Sequence, residues 1–350
     1  MKCGIAELRY LRMFLKVVPH LEDMVLLMNF EEKNNDLKRK IKEALSPLIS
    51  GDCCLLGLPY FHTNVGDFLI WQGAEELLKD LNVNCIYRAS VRRYQQKKIP
   101  KNATILLNGG GNFGDTWEGA PALYREIVSA FPNNKIVILP QTVFYKDKEK
   151  FLADAELYSR HPNVILCVRD NRSFETLKQH FSNTIVLAPD LAFYIPYHDL
   201  SRYEKTNHKG AGKTLFLKRN DRELNKEIDY SLLLPNGADK NNMDVMDWIT
   251  IDKPPISFLI LKNLWRISRR VAWFSKAVDL YAYYCFKQSM IKHGVRQISQ
   301  YDNVFVTRLH AGILRCLLRK PFALFDNSHG KNSSFFETWF CDLDDAKLYK

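Results

Sequence analysis

The chain is 350 residues long, enough for two α/β domains of ordinary size. At 46% hydrophobic and 25% charged residues it has a globular composition, which excludes a disordered chain. The formal net charge of +11 favours anionic partners such as phosphorylated substrates or lipid headgroups, and without zinc-finger spacing or an RNA-recognition signature no nucleic-acid partner is expected.

Eight cysteines contain no CxxC pair, and Cys53, Cys54 and Cys167 fall inside apolar runs. That is the pattern of reduced core residues in a cytoplasmic protein. Arg9, Arg12 and Lys16 interrupt the first apolar stretch, so no signal peptide is expected, and no apolar run is long enough to span a bilayer. Residues 5–30 show helical apolar spacing and 31–46 are charged and helix-like; together they predict an N-terminal helical extension over residues 1–50.

A strand is predicted at Cys53–Leu58, followed by Asn64-Val-Gly-Asp67 and a helix from about Phe68 to Leu81. Asn64 or Asp67 caps that helix, or Asp67 presents a carboxylate at the sheet edge. A strand at Asn84–Tyr87, a basic linker with Arg92, Arg93, Lys97 and Lys98, and a strand at Ala103–Leu107 come next. This last strand runs into Asn108-Gly109-Gly110-Gly111-Asn112-Phe113-Gly114, with a helix expected near Ala122–Phe131. Gly109, Gly111 and Gly114 match a dinucleotide fingerprint formally. The next strand, Lys135–Leu139, ends in Pro140-Gln141-Thr142 with no acid to hold a ribose, so a nicotinamide cofactor is discounted. The glycines then serve a tight turn, an anionic ligand or a sugar passing close.

The alternation continues with a helix at Asp147–Ser159 and a strand at Val164–Val168 that ends on Arg169-Asp170, where Arg169 is either a salt-bridge partner of a nearby acid or a ligand group. A further helix opens at Ser173, and a strand at Thr184–Leu187 ends in Ala188-Pro189-Asp190. Repeated strand-helix units predict a doubly wound parallel sheet over residues 51–196. Residues 196–212 read as a linker. A second domain, 213–350, opens with a strand at Lys213–Leu217 followed by Lys218-Arg219-Asn220-Asp221, and another element starts within Asp244–Trp248.

Residues 256–293 are a long helix-like stretch mixing Trp265, Trp273, Phe274, Tyr281, Tyr283 and Tyr284 with Arg266, Arg269, Arg270 and Lys276. It reads as a packing element or as a peripheral membrane contact. A short apolar run, Val304–Val306, then ends on Arg308 and His310. After an amphipathic helix and a strand at Phe322–Phe325, a polar loop carries Lys331 into a helix capped by Ser333 or Ser334, with which the chain ends. Ligands of open α/β sheets sit beyond the carboxyl ends of strands, and three such ends here carry cations. The ligand they suggest is small and anionic.

Taken together, Asn64-Val-Gly-Asp67, Asn108-Gly-Gly-Gly111, Pro140-Gln141, Val168-Arg-Asp170 with Ser173, Pro189-Asp190, Thr307-Arg-Leu-His310 and Asp326-Asn-Ser-His-Gly-Lys-Asn332 with Thr338-Trp339 resemble the polysaccharide pyruvyl transferase family. The resemblance runs from about Cys53 to Trp339. Thr307 stands where the family often has Ser, and His329 where Tyr is common. The resemblance implies two Rossmann-like domains facing a cleft, a glycosyltransferase-B-like fold. It implies transfer of the pyruvyl group of phosphoenolpyruvate to a sugar, with ketal formation and phosphate release, on an acceptor often carried by a lipid at the inner face of the cytoplasmic membrane. Arg169, His310 and Lys331 match its basic residues around the donor.

The resulting expectation has Arg169, Arg308 and Lys331 binding the donor, His310 as general acid and Asp67 as base. Asn64, Gly109, Gly110, Gly111, Asn112, Asp190 and Arg219 line the cleft. No cofactor beyond the donor substrate and no metal ligand set are expected. Two alternatives stand beside it: a nucleotide-sugar glycosyltransferase of similar form, and a non-catalytic membrane-associated scaffold.

Overall fold

The computed structural model describes residues 27–205, 213–221, 223–226, 243–248, 254–271 and 274–350. Most of the expected helix over residues 5–30, Trp273, and residues 206–212 of the expected linker lie outside these. Two sheets, both built of parallel strands, organise the chain.

The first sheet contains β1 (Cys53–Leu58), β2 (Cys85–Ser90), β3 (Thr104–Leu107), β4 (Gly110–Gly114), β5 (Ile136–Phe144), β6 (Val164–Val168) and β7 (Thr184–Leu187). Its order is β2-β1-β3-β5-β6-β7, with β4 paired to the far half of β5. The second contains β8 (Thr214–Leu217), β9 (Met243–Met246), β10 (Asn303–Val306), β11 (Phe322–Phe325) and β12 (Ala346–Tyr349), in the order β12-β11-β10-β8-β9. Near-continuous apolar runs such as Cys53–Leu56 and Phe322–Phe325 form these strands because both faces of a parallel sheet are covered.

Successive side chains alternate between faces. Cys167 on β6 and Val304 and Val306 on β10 enter one apolar cluster that runs through both sheets. Leu166 and Val168 face a second cluster, and Phe305 a third with Phe216 and Phe325. The shared cluster takes in α1 (Phe30–Leu45), α2 (Val65–Asp80) and α10 (Leu309–Leu317), which fixes one carboxyl edge against the other. The charged segment expected after residue 30 is α1, started by an Asn29–Glu32 capping box.

Four expectations change. The strand expected at Lys135–Leu139 does not stop at Pro140: β5 continues to Phe144 with Gly110–Gly114 as β4 beside it, while the helix expected near Ala122–Phe131 is α3 (Gly119–Ala130). The stretch 256–293 is not one helix: α7 (Ile256–Ser268), α8 (Ser275–Tyr281), a π-helical turn (Ala282–Phe286) and α9 (Lys287–Ile298) divide it. Ser333 and Ser334 do not cap the helix after β11. That helix, α11 (Lys331–Trp339), starts one turn earlier at Gly330, whose φ is 69°. The Asn327 side-chain oxygen accepts from Lys331 N at 2.8 Å, and Asp326 accepts from Asn332 N and Ser333 N at 3.1 Å each. Finally, the chain ends in β12 on β11, not in a helix.

Candidate functional site

The carboxyl ends of both sheets supply one group of side chains. On the first sheet, Arg169 follows β6 and is fully buried. Its Nε donates to Thr142 Oγ1 at 2.9 Å, and Nη1 to Asp190 Oδ2 at 2.5 Å. Asp170, the neighbouring acid, caps the helix that follows, α5 (Asn171–Lys178), by accepting from Ser173 N, so it is not the partner of Arg169. From the second sheet, His310 in the first turn of α10 places Nε2 3.2 Å from Asp190 Oδ2 and 3.3 Å from Arg169 Nη1. One buried carboxylate thus joins two basic groups 141 residues apart. Burial alone would raise the Asp190 carboxyl, but His310 and Arg169 overcome it and hold it well below its ordinary range.

Arg169 Nη2 is buried and has no hydrogen-bond partner among the described residues. A buried guanidinium N–H left unmade is costly, so its direction is informative. A Cβ built on Gly111 would lie 3.2 Å from this nitrogen and 2.2 Å from Lys331 Nζ. Two cations from opposite sheets therefore converge on the space that the glycine leaves open. Lys331 is itself mostly buried, with Glu223 Oε2 3.6 Å from its Nζ. Burial pushes the Lys331 ammonium down; Glu223 opposes this, and the nearby Arg169 and Arg219 push it further down.

Asp67 sits in the first turn of α2. Asn64 caps that helix by accepting from Gly66 N at 3.3 Å and donates to Asp67 Oδ2 at 3.0 Å, so of the two capping candidates it is Asn64 that caps. Asp67 Oδ1 is 3.8 Å from the Cβ position of Gly110, and the Cβ position of Gly66 is 2.5 Å from the His310 ring. The α2 N-terminus and the first turn of α10 are therefore in contact across the two sheets. Gln141, buried at the bend of β5, ties the glycine strand down. Its amide donates to Asn108 O at 2.7 Å, and its oxygen accepts from Asn112 N at 3.3 Å.

Arg308 and Arg219 are placed differently. Arg308 binds Asp247 with both Nε (2.5 Å) and Nη2 (2.6 Å), and Asp221 lies 3.1 Å away. Arg219 holds Asp221 through Nε at 2.7 Å and Glu223 through Nη1 at 2.8 Å. These two guanidiniums are committed to carboxylates, so the expectation that Arg308 grips an anion alongside Arg169 does not match where its charge is spent.

The sequence reading missed Glu223, Asp247, Thr142 and His62. Glu223 and Asp247 are acids just beyond strands β8 and β9, a signal that the same strand-end rule would have found. His62 Nε2 lies 3.5 Å from Asp67 Oδ2, and nothing local in Tyr60–Thr63 marks it. A cavity of about 300 Å³ opens beside Gly111 and Lys331. Phe144, Tyr145, Arg172 and His329 line it, and the Phe144 and His329 rings stack with centroids 4.0 Å apart. Among the described residues no group of three or more His, Cys, Asp or Glu is arranged to hold a metal ion, and no helix is long and apolar enough to cross a membrane.

Comparison with known proteins shows the family. The chain is 29% identical over 324 residues to a putative pyruvyl transferase, EpsO, of Bacillus subtilis, covering 89% of this chain and 93% of that protein. It is 28% identical over 312 residues to Pyruvyl transferase 1 of Schizosaccharomyces pombe, covering 84% and 71% of the two chains. The fold is shared with an uncharacterized protein of Klebsiella pneumoniae at a TM-score of 0.57 and 16% identity, over 90% of this chain and 99% of that one. The family model for polysaccharide pyruvyl transferase matches residues 64–329, a span that holds Asp67, Gly111, Arg169, Asp190 and His310, and the chain belongs to that family.

Proposed function

We propose that this chain moves the pyruvyl group of phosphoenolpyruvate onto a sugar of a cell-surface or exopolysaccharide glycan, closing a cyclic ketal and releasing phosphate. The observation that carries the reading is the unpartnered, buried Arg169 Nη2 facing the Gly111 gap together with Lys331 Nζ. Phosphoenolpyruvate brings a carboxylate and a phosphate on one three-carbon frame. A guanidinium with a free N–H and an ammonium at one point suit such a dianion.

In this reading His310, oriented by Asp190, protonates the methylene carbon C3, which makes C2 electrophilic. A sugar hydroxyl adds to C2, and its proton passes to Asp67, where His62 is within reach. A second hydroxyl of the same sugar then displaces the phosphate from C2. Phosphate leaves with the bridging oxygen and the second proton, and Lys331 offsets its charge. Arg308 enters this scheme as a positioning residue: it binds Asp247 and Asp221 and so sets the loop after β10 that presents His310. The aromatic-lined cavity beside Lys331 is where the sugar fits. The two parallel sheets, with residues 51–196 and 213–350 as the halves, support a glycosyltransferase-B-like arrangement. A lipid-linked oligosaccharide at the inner face of the cytoplasmic membrane is the acceptor we favour.

The test is phosphate release from phosphoenolpyruvate against a panel of sugar acceptors, with ligand-induced melting shifts for phosphoenolpyruvate and nucleotide sugars in parallel. Stabilisation by phosphoenolpyruvate alone is expected. Stabilisation by nucleotide sugars alone, or wild-type turnover by His310→Ala, defeats the proposal.

A further inference from the structure

The broken stretch that begins at Ile256 carries a face the catalytic reading does not use. Between Asp252 and Asp279 the sequence has no Asp or Glu, but it has Lys253, Lys262, Arg266, Arg269, Arg270 and Lys276. Within it, α7 turns its aliphatic side chains two ways. Phe258 and Leu261 are buried, and Trp265 packs on Phe61 with ring centroids 5.1 Å apart. Ile256, Leu259, Ile260 and Ile267 are exposed, at 76%, 46%, 42% and 43%. Their spacing, i, i+3, i+4 and i+11, sets them on one side of the helix. At 100° per residue, exposed Lys262 and Arg266 lie along one border of that side, and exposed Arg269 and Arg270 follow directly on the helix end at Ser268. Among the described residues no carboxylate is paired with any of these four cations. Of the aromatic residues that the sequence offered as interfacial anchors, Trp265 meets Phe61 and Tyr283 meets Trp71, while Tyr284 is exposed. The outward ridge is aliphatic.

We infer that α7 is an interfacial helix that lies on an anionic lipid surface. The helix has 13 residues, about 20 Å, too short to cross a bilayer. A surface helix instead needs an apolar ridge bordered by cations, with its other side fixed to the protein. Charge selects the occupant. A second copy of this chain docking by two-fold symmetry would set this cationic border against itself, which repels. Anionic headgroups pair with it, each cation near such a surface adding to the attraction. The helix also has a position that gives the contact a use. Trp265 rests on Phe61, in the loop that carries His62 and leads to Asn64 and Asp67. A bilayer under α7 is therefore next to the Asp67 side of the site.

The test is sedimentation of the full chain with phosphatidylcholine vesicles, with and without phosphatidylglycerol. It needs neither donor nor acceptor, so its outcome is independent of the pyruvyl-transfer reading. Binding is expected only with the anionic lipid, weakening as salt rises. The combined Ile256→Gln, Ile260→Gln and Ile267→Gln substitutions, all at exposed sites, should lower partitioning about tenfold or more with Tm unchanged. Arg266→Gln with Arg270→Gln should lower it and flatten the salt dependence. Equal binding to both vesicle types, or wild-type binding by the isoleucine variant, overturns the inference. So does a dimer that ignores vesicles and dissociates on the isoleucine substitutions.

Discussion

Replacing Gly111 with alanine probes the convergence of the two sheets most directly. The new methyl would lie 2.2 Å from Lys331 Nζ, 3.0 Å from its Cε and 3.2 Å from Arg169 Nη2. None of these is a backbone atom, and Lys331 has a flexible stem. Gly111 is not among the glycines held at positive φ, so alanine fits its backbone. The fold should therefore survive, with Tm unchanged or slightly raised, because alanine narrows the unfolded ensemble by about 0.4–1 kcal/mol. Lys331 must swing out of the gap. Losing one hydrogen bond to a charged ligand group costs about 1.5–3 kcal/mol, or roughly ten- to a hundredfold in donor affinity. Thermal melting with and without phosphoenolpyruvate, and the donor dependence of phosphate release, measure both quantities. Gly114→Ala is the contrast. Its φ is +151° and its Cβ would lie 1.7 Å from Phe144 O, a backbone atom, so that variant should lose stability. Wild-type donor affinity in Gly111→Ala would refute the argument, because the gap would then not be where the anion sits.

Asp190→Asn strips the carboxylate from buried Arg169 and from His310, which should cost about 3–5 kcal/mol and lower Tm by many degrees. The Asp190 carboxyl titrates below its ordinary 3.8, so its contribution is fully present above that value and is lost only as pH falls through its lower folded value. The gap between wild type and variant should thus be constant from about pH 5 to 8 and close only in strong acid. Donor kcat/KM should fall as pH rises through the lowered Lys331 value, in a range below the 10.5 of an ordinary lysine. Lys331→Met should be weak and flat across that range. Lys287 is buried, its ammonium 4.8 Å and 4.2 Å from the Trp71 and Tyr283 ring centroids, and burial holds it down to about 8. The unfolded chain binds more protons between about 8 and 10.5, so stability should rise with pH there. Lys287→Met should be more stable than wild type at pH 7 by roughly 1–3 kcal/mol, with the difference gone near pH 10.5, as read by urea melts.

The strands that were legible are local apolar runs closed by a polar or Gly/Pro signal; β4 (Gly110–Gly114) and β12 (Ala346–Tyr349) carry no such run. Val164–Val168, Thr184–Leu187 and Phe322–Phe325 match residue for residue. Where local signals conflict, the reading slipped. Pro140 suggested the end of a strand, yet β5 passes through it, since its partner β4 pairs at Gly110, Phe113 and Gly114. Ser333 and Ser334 are ordinary helix caps, but Asp326 and Asn327 reach the first N–H groups of α11 instead.

The amino-acid order alone determined that Arg169, Arg308 and His310 stand just beyond strand ends, because β6 and β10 are short apolar runs closed by the residues that follow them. Only the tertiary structure decided which of those cations already has a counter-charge. Asp247, which takes Arg308, is 61 residues away, and Asp190, which Arg169 and His310 share, is 21 residues from Arg169. Coulomb attraction acts over a few ångströms of space and is indifferent to separation along the chain, so no local pattern encodes it.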